Sequence, residues 1–524
     1  MAIRRSAAAV VVAAVGMLLG VSGAAAAWVN PLNARMTVGE PYTLPSQTVL
    51  VEEAPGDIGF GSLTLNSPAG FEFDTSSKAT ATVSDTKDGC NGTTGLRLGI
   101  RPATTQTVTP DAQTITFLVS SPSRGRCTST IGFSNIVVKP LAEGSGDLTL
   151  GGTSRVRSLP AGSTLGHWEA RKPTPPGAPL AWGSNIYGEL GQGYSSNSFS
   201  EPQVVSLGTA VATAAGDYDS FAVLADGTVW GWGMDSSGAL GDGGSGERDT
   251  PVQAVGVTNA VAVAAGYGHT LALRGDGSLW AWGGNWDGML GDGTTDSSLP
   301  KPVPGLGNVI QAKAGRESSY AVTSDGTLWA WGGNTHGQLG TGDMQRRLVP
   351  TPVLTGVRAI SAGDYFVLAL EQDGTVWGAG NNDYGQLGIG AQTPDRPAFV
   401  QAQISGVTLI GTGDFASYAT TADGAAWSWG SNGFGELGLG STSEAVPTPS
   451  TIPSLTDVKE FSGGQNHMLA LRTDGTVWAT GSNYYGQLGV GNDLGDYYTA
   501  VPVRAHVSAA THIAARELHS LATG

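Results

Sequence analysis

The chain has 524 residues, more than one ordinary hydrophobic core can serve, so we expect at least two domains. Eighty glycines, only 13% charged residues and no sustained helical periodicity indicate short strands and many turns, which excludes a helical repeat protein. The formal net charge of −16 excludes nucleic-acid binding by the whole surface, because that binding needs Lys and Arg side chains to displace phosphate counterions.

The first segment, Met1–Ala27, predicts a secretory signal peptide. Two arginines precede an apolar run, and the small residues Ala24–Ala27 suit a cleavage site. A retained membrane anchor is the alternative, but the run is short for a spanning helix. We therefore expect cleavage after Ala27 and a secreted or cell-envelope protein without membrane insertion.

Residues 28–154 predict a small immunoglobulin-like or adhesin-like β-sandwich. Turn residues separate seven alternating or β-branched runs, as short antiparallel strands require. These runs lie at Thr43–Val51, Gly61–Leu65, Ala79–Val83, Leu96–Ile100, Thr114–Ser120, Thr130–Lys139 and Asp147–Leu150.

Cys90 and Cys127 are the two cysteines of the chain, and both fall within this predicted domain. An exported chain favours a disulfide between them. The alternative of free thiols or a metal pair lacks neighbouring His or Cys residues at ligand spacing. The composition then changes at residues 155–179, where the run Lys172–Gly177 is rich in proline and predicts a semi-rigid linker.

From residue 180 to residue 524 the sequence repeats at intervals of about fifty residues, the period of a propeller blade with four short strands. A Gly-x-Leu-Gly box appears seven times, with its leucine at Leu190, Leu240, Leu290, Leu339, Leu387, Leu437 and Leu488. An Asp-Gly hairpin signal appears six times, beginning at Asp226, Asp276, Asp325, Asp373, Asp423 and Asp474.

The missing seventh hairpin indicates how the ring closes. The repeats begin at Gly177–Gly183 in the second half of a unit and stop at Val507–Gly524 in the first half of one. Two half-units make one blade, and pairing them removes the exposed sheet edges. The sequence therefore predicts an all-β chain, with a seven-bladed β-propeller after the sandwich.

Each repeat also predicts its local structure. Asp276-Gly277 lies between two alternating apolar runs and predicts a hairpin with a type I′ turn. The leucine of each box is interpreted as an apolar plug between glycines that allow backbones to approach closely.

Eleven of the fourteen tryptophans recur at two positions in the returning strand, and we interpret them as packing between neighbouring blades. A platform for ligand stacking is the alternative. One set is Trp230, Trp280, Trp329, Trp377, Trp427 and Trp478, and the other is Trp182, Trp232, Trp282, Trp331 and Trp429.

The repeat resembles the regulator of chromosome condensation repeat family. The resemblance is carried by an Ala-Gly pair, the run His269–Leu273, Asp276-Gly277, Trp282-Gly283 and the Gly-x-Leu-Gly box. It implies a seven-bladed propeller, in a family that includes an exchange factor for a nuclear small GTPase and many secreted bacterial members. The architecture also looks like that of secreted bacterial β-lactamase inhibitor propellers, whose repeats are shorter and lack the box.

Both resemblances direct attention to the loop after each Ala-Gly pair. Aromatic and acidic residues on loops of a rigid scaffold are typical of a protein-binding patch. The alternative is a set of turns whose aromatic residues pack on the next blade. The candidate partner-binding residues are Asp217, Tyr218, Tyr267, Arg316, Glu317, Asp364, Tyr365, Asp414, Phe415, Gln465 and Glu517.

A second set of residues, nearly all of them aromatic, precedes the Leu-Gly boxes, and we interpret it as mainly structural. Trp286 and the pair Tyr484-Tyr485 are the expected exceptions. The set is Ile186, Tyr187, Trp286, His336, Tyr384, Phe434, Tyr484 and Tyr485.

No motif for nucleophilic catalysis, phosphate binding or zinc binding occurs in the sequence. His269, His467 and His519 share one repeat position, which favours a structural hydrogen-bonding role. Asp292 with Asp296 is a possible calcium loop, as are Asn492, Asp493 and Asp496, but solvated turns fit these loops better. We therefore expect no catalytic residues, metal or cofactor.

The leading hypothesis is a secreted, non-enzymatic binding protein, which we expect to be a monomer. Its partner is an extracellular or cell-surface protein, or a glycan, held by the loop rim. One alternative is exchange-factor activity by family resemblance, which secretion disfavours. The other is a secreted carbohydrate-active enzyme that uses rim carboxylates such as Asp364 and Asp414.

Overall fold

The computed structural model describes residues 177–524, except 295–296, 492–493, 495–496 and 508, together with strand segments between Trp28 and Arg171 and Pro110. The chain forms two compact units, Met1–Pro173 and Thr174–Gly524. Among the described residues none belongs to a helix that has the length and hydropathy to span a bilayer. The predicted signal peptide and both Cys90 and Cys127 lie outside the described residues.

The first unit contains fourteen described strands in three sheets. The sheet orders are β1-β4-β11-β7-β9, β2-β14-β13-β5-β10-β8 and β3-β12-β6. The strands are β1 Trp28–Val29, β2 Ala34–Thr37, β3 Tyr42–Thr43, β4 Gln47–Val51, β5 Gly61–Asn66, β6 Phe71–Phe73, β7 Ala79–Asp85, β8 Arg97–Leu98, β9 Thr105–Val108, β10 Thr114–Ser121, β11 Ser129–Ser134, β12 Val137–Pro140, β13 Gly144–Gly151 and β14 Thr164–Arg171.

Strand β14 corrects the predicted linker at residues 155–179. It pairs antiparallel with β13 and parallel with β2, so it belongs to a sheet of the first unit. The proline-rich run that follows β14 predicts a linker more strongly than the short alternating pattern of β14 predicts a strand. Leu65, Ile115 and Phe117 are fully buried in this unit. The immunoglobulin-like assignment stays a prediction.

The second unit is a seven-bladed β-propeller, as predicted, and each blade is a four-stranded antiparallel sheet. Blade 1 holds β17 Ala210–Ala215, β18 Asp219–Leu224, β19 Val229–Gly233 and β20 Arg248–Gln253; blade 2 holds β21 Ala260–Ala265, β22 His269–Arg274, β23 Leu279–Gly283 and β24 Ser297–Pro302; blade 3 holds β25 Val309–Ala314, β26 Ser318–Thr323, β27 Leu328–Gly332 and β28 Arg347–Leu354; blade 4 holds β29 Val357–Ala362, β30 Phe366–Glu371, β31 Val376–Gly380 and β32 Arg396–Gln401.

The remaining three blades complete the ring. Blade 5 holds β33 Val407–Thr412, β34 Ala416–Thr421, β35 Ala425–Ser431 and β36 Ala445–Thr456; blade 6 holds β37 Val458–Gly463, β38 His467–Arg472, β39 Val477–Ser482 and β40 Tyr498–Arg504; blade 7 holds β41 His512–Arg516, β42 His519–Thr523, β15 Pro179–Asn185 and β16 Ser196–Val204.

Blade 7 confirms the predicted ring closure, because it combines two strands from each end of the repeat region. Strand β15 pairs antiparallel with β42, with Leu180 opposite Ala522. The first strands of neighbouring blades contact one another around the propeller axis. They enclose a central cavity of about 120 Å³.

The Asp-Gly hairpins are present, but the predicted type I′ turn is wrong. Gly227 adopts a positive φ of 79°, whereas Asp226 does not. The Asp226 carboxylate accepts hydrogen bonds from the Thr228 backbone N–H (3.0 Å) and hydroxyl (2.6 Å). Because these bonds hold the aspartate in a local turn of its own, only the glycine takes the left-handed conformation.

The Leu-Gly boxes and the tryptophans together join neighbouring blades, which confirms the predicted packing role of the rings. In blade 4 the Gln386 carbonyl accepts hydrogen bonds from Trp429 Nε1 (2.8 Å) and Ser417 Oγ (2.7 Å) of blade 5. Box leucines such as Leu387 are fully buried. At Gly388 a Cβ atom would lie 2.9 Å from Trp429 Nε1, so the absence of a side chain makes room for the indole ring. The sequence predicted that this glycine would instead make room for a second backbone.

Candidate functional site

One face of the propeller gathers the loops that carry the predicted site, and we call it the loop face. In each blade, the loop from the first strand to the second and the loop from the third to the fourth emerge at the same end of the sheet. The ring centroids of Tyr187, in a loop of the second kind, and Tyr218, in a loop of the first kind, lie 5.1 Å apart.

The loops of the first kind begin with a glycine in six of the seven blades. At Gly266 a Cβ atom would lie 2.5 Å from the Gly315 carbonyl oxygen of the next blade, so a side chain does not fit there. Blade 7 has Arg516 at this position. Its backbone pairs with His519, just as each glycine pairs with the first residue of the second strand in its own blade. This arginine is the one residue in the column with a side chain that reaches the axis.

Arg516 lies at the centre of a group of ionic residues that we call the axial cluster: Asp217, Arg316, Asp364, Asp414, Arg516 and Glu517. Its Nε lies 2.6 Å from Asp217 Oδ1, and its Nη2 lies 2.9 Å from Asp364 Oδ1. Its Nη1 donates to the Ala314 carbonyl at 3.3 Å. One guanidinium therefore connects blades 1, 3, 4 and 7 across the propeller axis.

Arg316 provides the second positive charge of the axial cluster. Its Nη1 lies 3.1 Å from Asp217 Oδ2, 3.3 Å from Asp364 Oδ2 and 3.2 Å from Glu517 Oε1. Each of these three carboxylates is buried, whereas Arg316 is half-buried. Arg316 thus lies between the buried cluster and the loop face.

The carboxylates of the axial cluster outnumber its arginines, and their pKa values respond to this excess. Burial raises the pKa of Asp364 to about 6, with the neighbouring Asp217 acting in the same direction. Burial also raises the pKa of Glu517 to about 7, aided by Asp217 and Asp364. The pKa of Asp414 rises well above its ordinary value, first through burial and then through Asp364. The cluster therefore retains protons near neutral pH.

Three members of the axial cluster have the donor set of a cation site. Oxygen atoms of Asp364, Asp414 and Glu517 lie within 4.8 Å of one another. However, Arg316 and Arg516 already contact Asp364, and Arg316 also contacts Glu517. These arginines supply the positive charge that a metal ion would otherwise provide, so the cluster is interpreted as a structural ionic network.

The structure divides the eleven predicted site residues into two groups. Four carboxylates are buried in the axial cluster, where the surface of a binding partner does not reach them: Asp217, Asp364, Asp414 and Glu517. Seven residues are half-buried on the loop face: Tyr218, Tyr267, Arg316, Glu317, Tyr365, Phe415 and Gln465. A role in partner binding stays a prediction for all of them.

Four aromatic side chains on the loop face form a continuous row, which we call the aromatic row. Its order is Tyr187, Tyr218, Tyr267 and Trp286, with successive ring centroids 5.1, 6.3 and 6.1 Å apart. Trp286 is 40% exposed. The Arg316 guanidinium carbon lies 4.6 Å from the Tyr267 ring centroid, so the row and the axial cluster meet at this pair.

Sequence reasoning missed Arg516 and underrated Tyr187. Arg516 interrupts a column of six glycines, and this break in the repeat is the signal that identifies it. Tyr187 was assigned to the structural set, but its ring extends the aromatic row. Tyr484 lies apart from the row, 67% exposed, with its ring centroid 5.7 Å from that of Tyr497.

The three repeated histidines have the structural role that was predicted. His269 Nε2 lies 3.0 Å from Ser319 Oγ, and equivalent contacts join His467 to Ser520 and His519 to Ser220. Burial lowers the pKa of His269 to about 3, with Arg516 acting in the same direction. The ring is therefore neutral and links one blade to the next.

Of the predicted calcium loops, the described residues include Asp292. Its carboxylate accepts hydrogen bonds from the Thr294 backbone N–H (2.9 Å) and hydroxyl (2.7 Å), as in a capped turn. Asp296, Asn492, Asp493 and Asp496 lie outside the described residues.

Comparison with protein families identifies the repeat region. The profile of the RCC1-like domain matches residues 174–405. Profiles of the regulator of chromosome condensation (RCC1) repeat match residues 423–471, 474–522 and 458–487. No curated protein matches this chain significantly.

Solved structures with the same fold include human WBSCR16, at 22% identity over 66% of this chain and 99% of that chain, with a TM-score of 0.60. Yeast RCC1 (Prp20), solved bound to Kap60, has 23% identity over 67% of this chain and 89% of that chain, with a TM-score of 0.60. Prp20p from Saccharomyces cerevisiae, studied for its binding to Gsp1p and histones, has 23% identity over 67% and 92%, with a TM-score of 0.60. At these identities the likeness concerns the fold.

Proposed function

Because the propeller of this chain belongs to the regulator of chromosome condensation repeat family, we propose that the protein is a non-enzymatic interaction module. It binds a partner protein through the loop face. The observation that carries this proposal is the aromatic row Tyr187, Tyr218, Tyr267 and Trp286, bordered by Arg316.

The composition and support of the aromatic row favour protein recognition. Tyr, Trp and Arg are the side chains that contribute most to protein interfaces, since they bury a large area with few rotatable bonds. Each ring of the row is fixed at its edge by the next ring, so little side-chain entropy is lost on binding. The blades beneath provide a rigid support for the loops.

The partner is proposed to be extracellular or on a cell surface. This part of the proposal rests on the signal-peptide pattern of Met1–Ala27. Secretion would separate the propeller from an intracellular GTPase, which makes exchange-factor activity the weaker candidate.

The rim carboxylates give little support to a carbohydrate-active enzyme. A glycosidase needs one carboxylic acid and one carboxylate on either side of an accessible sugar ring. Asp364 is buried and bonded to both Arg316 and Arg516, and Asp414 is 2% exposed. We therefore propose a binding role and no hydrolytic step.

The test uses the full chain, immobilised and exposed to the secreted and surface proteins of its own cells. Tyr218→Ala and Trp286→Ala should each lose a protein that the wild-type chain retains, because the first interrupts the aromatic row and the second shortens it. Tyr497→Ala removes a tyrosine that is 73% exposed and lies outside the row, and it should retain that protein. Thermal unfolding of each variant checks that the propeller remains folded.

Two results would contradict the proposal. One is retention of every captured protein by a chain that carries Tyr218→Ala, Tyr267→Ala and Trp286→Ala together. The other is turnover of a polysaccharide that disappears with Asp364→Asn while Arg346→Ala leaves it intact.

A further inference from the structure

A small pocket opens on the loop face between blades 1 and 2, beside the aromatic row. Its volume is about 20 Å³. The pocket is lined by two buried acidic residues, two tyrosines and four other residues. These are Asp217, Asp219, Tyr218, Tyr267, Met234, Ser236, Ala239 and Gly268.

Two variable positions of the repeat meet at this pocket. Asp219 occupies the position at which blades 2, 6 and 7 have the larger side chains His269, His467 and His519. Gly268 occupies the position at which blades 1, 3, 4 and 5 have Tyr218, Glu317, Tyr365 and Phe415. Blades 6 and 7 have Asn466 and Leu518 at that second position, so Gly268 is the glycine among seven equivalent residues and contributes no side chain to the pocket.

Asp219 is the unusual group in the pocket. It is 4% exposed, and its Oδ1 has no hydrogen-bond partner. Asp217, by contrast, has Arg516 on one oxygen and Arg316 on the other. A buried carboxylate oxygen without a partner is unfavourable, so the site is incomplete in the absence of a hydrogen-bond donor.

The charges around Asp219 add to this deficit. Asp217 and Asp235 raise its pKa after burial, and Arg516 is the cation that opposes them. Burial raises the pKa of Asp219 well above its ordinary value, which favours a bound proton on this carboxylate. A cation that enters the pocket would displace this proton.

We infer that this pocket binds a primary ammonium group, presented by a lysine side chain of the partner protein. This inference rests on the proposed function, since it names the group that the partner inserts at the aromatic row. The ammonium donates to the Asp219 carboxylate while its methylene chain lies against Tyr218 and Tyr267, whose rings contact each other edge to face with centroids 6.3 Å apart.

The size of the pocket selects the ammonium over a guanidinium. A cavity needs about 10–15 Å³ to hold one water-sized group, so the pocket accommodates one ammonium head. The planar guanidinium of arginine is larger and presents several donors in a fixed fork, for which the pocket has too little space. The acidic surface of the chain also favours a basic partner.

The experiment titrates the full chain, labelled with fluorotryptophan, with N-acetyl-lysine methylamide and follows Trp286 by fluorine NMR. Trp286 is a suitable reporter because a Cβ atom at Gly268 would lie 3.5 Å from its ring. A Trp286→Phe sample assigns its resonance. The norleucine and arginine methylamides serve as neutral and guanidinium controls.

The wild-type chain should show a saturable shift with the lysine amide alone, and the affinity should increase with pH as Asp219 loses its proton. Asp219→Asn keeps the volume of the side chain and removes its charge. This variant should bind the lysine amide at least about tenfold more weakly than wild type, and its affinity should not depend on pH. Asp219→His introduces the residue of blades 2, 6 and 7, so it should fold normally and fail to bind.

An equal response to the norleucine amide, or unchanged binding by Asp219→Asn, would overturn the inference. Its failure is separable from that of the proposed function. A captured protein that is lost with Trp286→Ala but kept by both Asp219 variants supports the loop face and refutes the lysine pocket. Binding of the lysine amide by a chain that captures no protein would instead support the lysine pocket and refute the loop face as a protein-binding surface.

Discussion

Arg516 Nε lies 2.6 Å from Asp217 Oδ1, and this contact joins residues 299 positions apart in the chain. Arg516 ends the first strand of blade 7, and Asp217 follows the first strand of blade 1. The ion pair therefore closes the ring at the axis, while the pairing of β15 with β42 closes it within blade 7.

The first prediction concerns Arg516→Gly, which gives blade 7 the residue that the other six blades carry. Despite this restored repeat, we expect a loss of about 3–5 kcal/mol in the free energy of unfolding, because Asp217 and Asp364 lose a buried partner. Urea unfolding of the full chain measures the change. Adding Asp217→Asn should recover part of it by removing one unpaired charge.

Arg346→Ala is the matched control for this prediction. Arg346 also forms an ion pair, with Asp287 at 3.3 Å, but its side chain is 56% exposed. Its removal should change the free energy of unfolding by less than about 1 kcal/mol. Equal effects of the two substitutions would mean that the axial cluster does not stabilise the propeller.

The second prediction concerns pH and Glu517→Gln. Burial raises the pKa of Glu517 from 4.5 to about 7, so between these pH values the folded chain binds more protons than the unfolded chain. Linkage then requires the contribution of Glu517 to stability to decrease as pH rises through this window. Glu517→Gln should therefore gain stability relative to wild type, by up to about 3 kcal/mol, as pH increases.

Thermal unfolding of both proteins at pH values below and above the window measures this difference. The comparison removes the opposite contribution of the buried histidines, since both proteins carry them. Asp364, with a pKa of about 6, titrates with Glu517, so the observed step belongs to the pair. A difference in stability that stays constant with pH would contradict the raised pKa.

The blade architecture could be predicted from the sequence because it depends on local, repeated signals. The leucine at Leu387 and the glycine at Gly388 recur in each repeat, since each must fit between the same elements of two neighbouring blades. The half-units at the two ends of the repeat region were enough to place β15 beside β42. Periodic residues carry packing constraints, and these constraints can be recognised in the sequence alone.

The candidate site depended on contacts that are not local. Asp217, Asp364 and Glu517 were predicted on an exposed rim, because polar loop residues usually face solvent. Their burial results from the convergence of seven loops at one axis and from Arg516, which the sequence places in another repeat. The turn type was also missed, because the side-chain bonds of Asp226 to Thr228 compete with the type I′ conformation.

The third prediction concerns the shared carbonyl of Gln386, which accepts from Trp429 Nε1 and Ser417 Oγ. Ser417→Ala should cost about 1 kcal/mol, because the indole still satisfies the carbonyl. Combining Ser417→Ala with Trp429→Phe leaves a buried acceptor without either donor. We therefore expect the double variant to lose more stability than the sum of the single variants.

Trp427→Phe provides the reference for the loss of ring volume. Trp427 is half-buried at the same blade junction, but its Nε1 donates to Thr421 Oγ1 of its own blade at 3.1 Å and not to Gln386. Combined with Ser417→Ala, it should give an additive loss in urea unfolding. Additive losses for both pairs would show that the two donors at Gln386 act independently.

The fourth prediction compares two hairpin glycines that differ only in their surroundings. Gly227 and Gly424 follow the aspartate of equivalent turns and have φ values of 79° and 83°. An alanine at either position has the strain of a left-handed residue, about 1–2 kcal/mol. At Gly227 the new Cβ would also lie 2.8 Å from the Asn259 backbone, whereas Gly424 faces open space. Gly227→Ala should therefore lower the unfolding free energy clearly more than Gly424→Ala, because the Asn259 backbone must move and the loop between blades 1 and 2 must move with it. Equal losses in the free energy of unfolding would mean that this loop moves at no energetic cost and does not hold the two blades together.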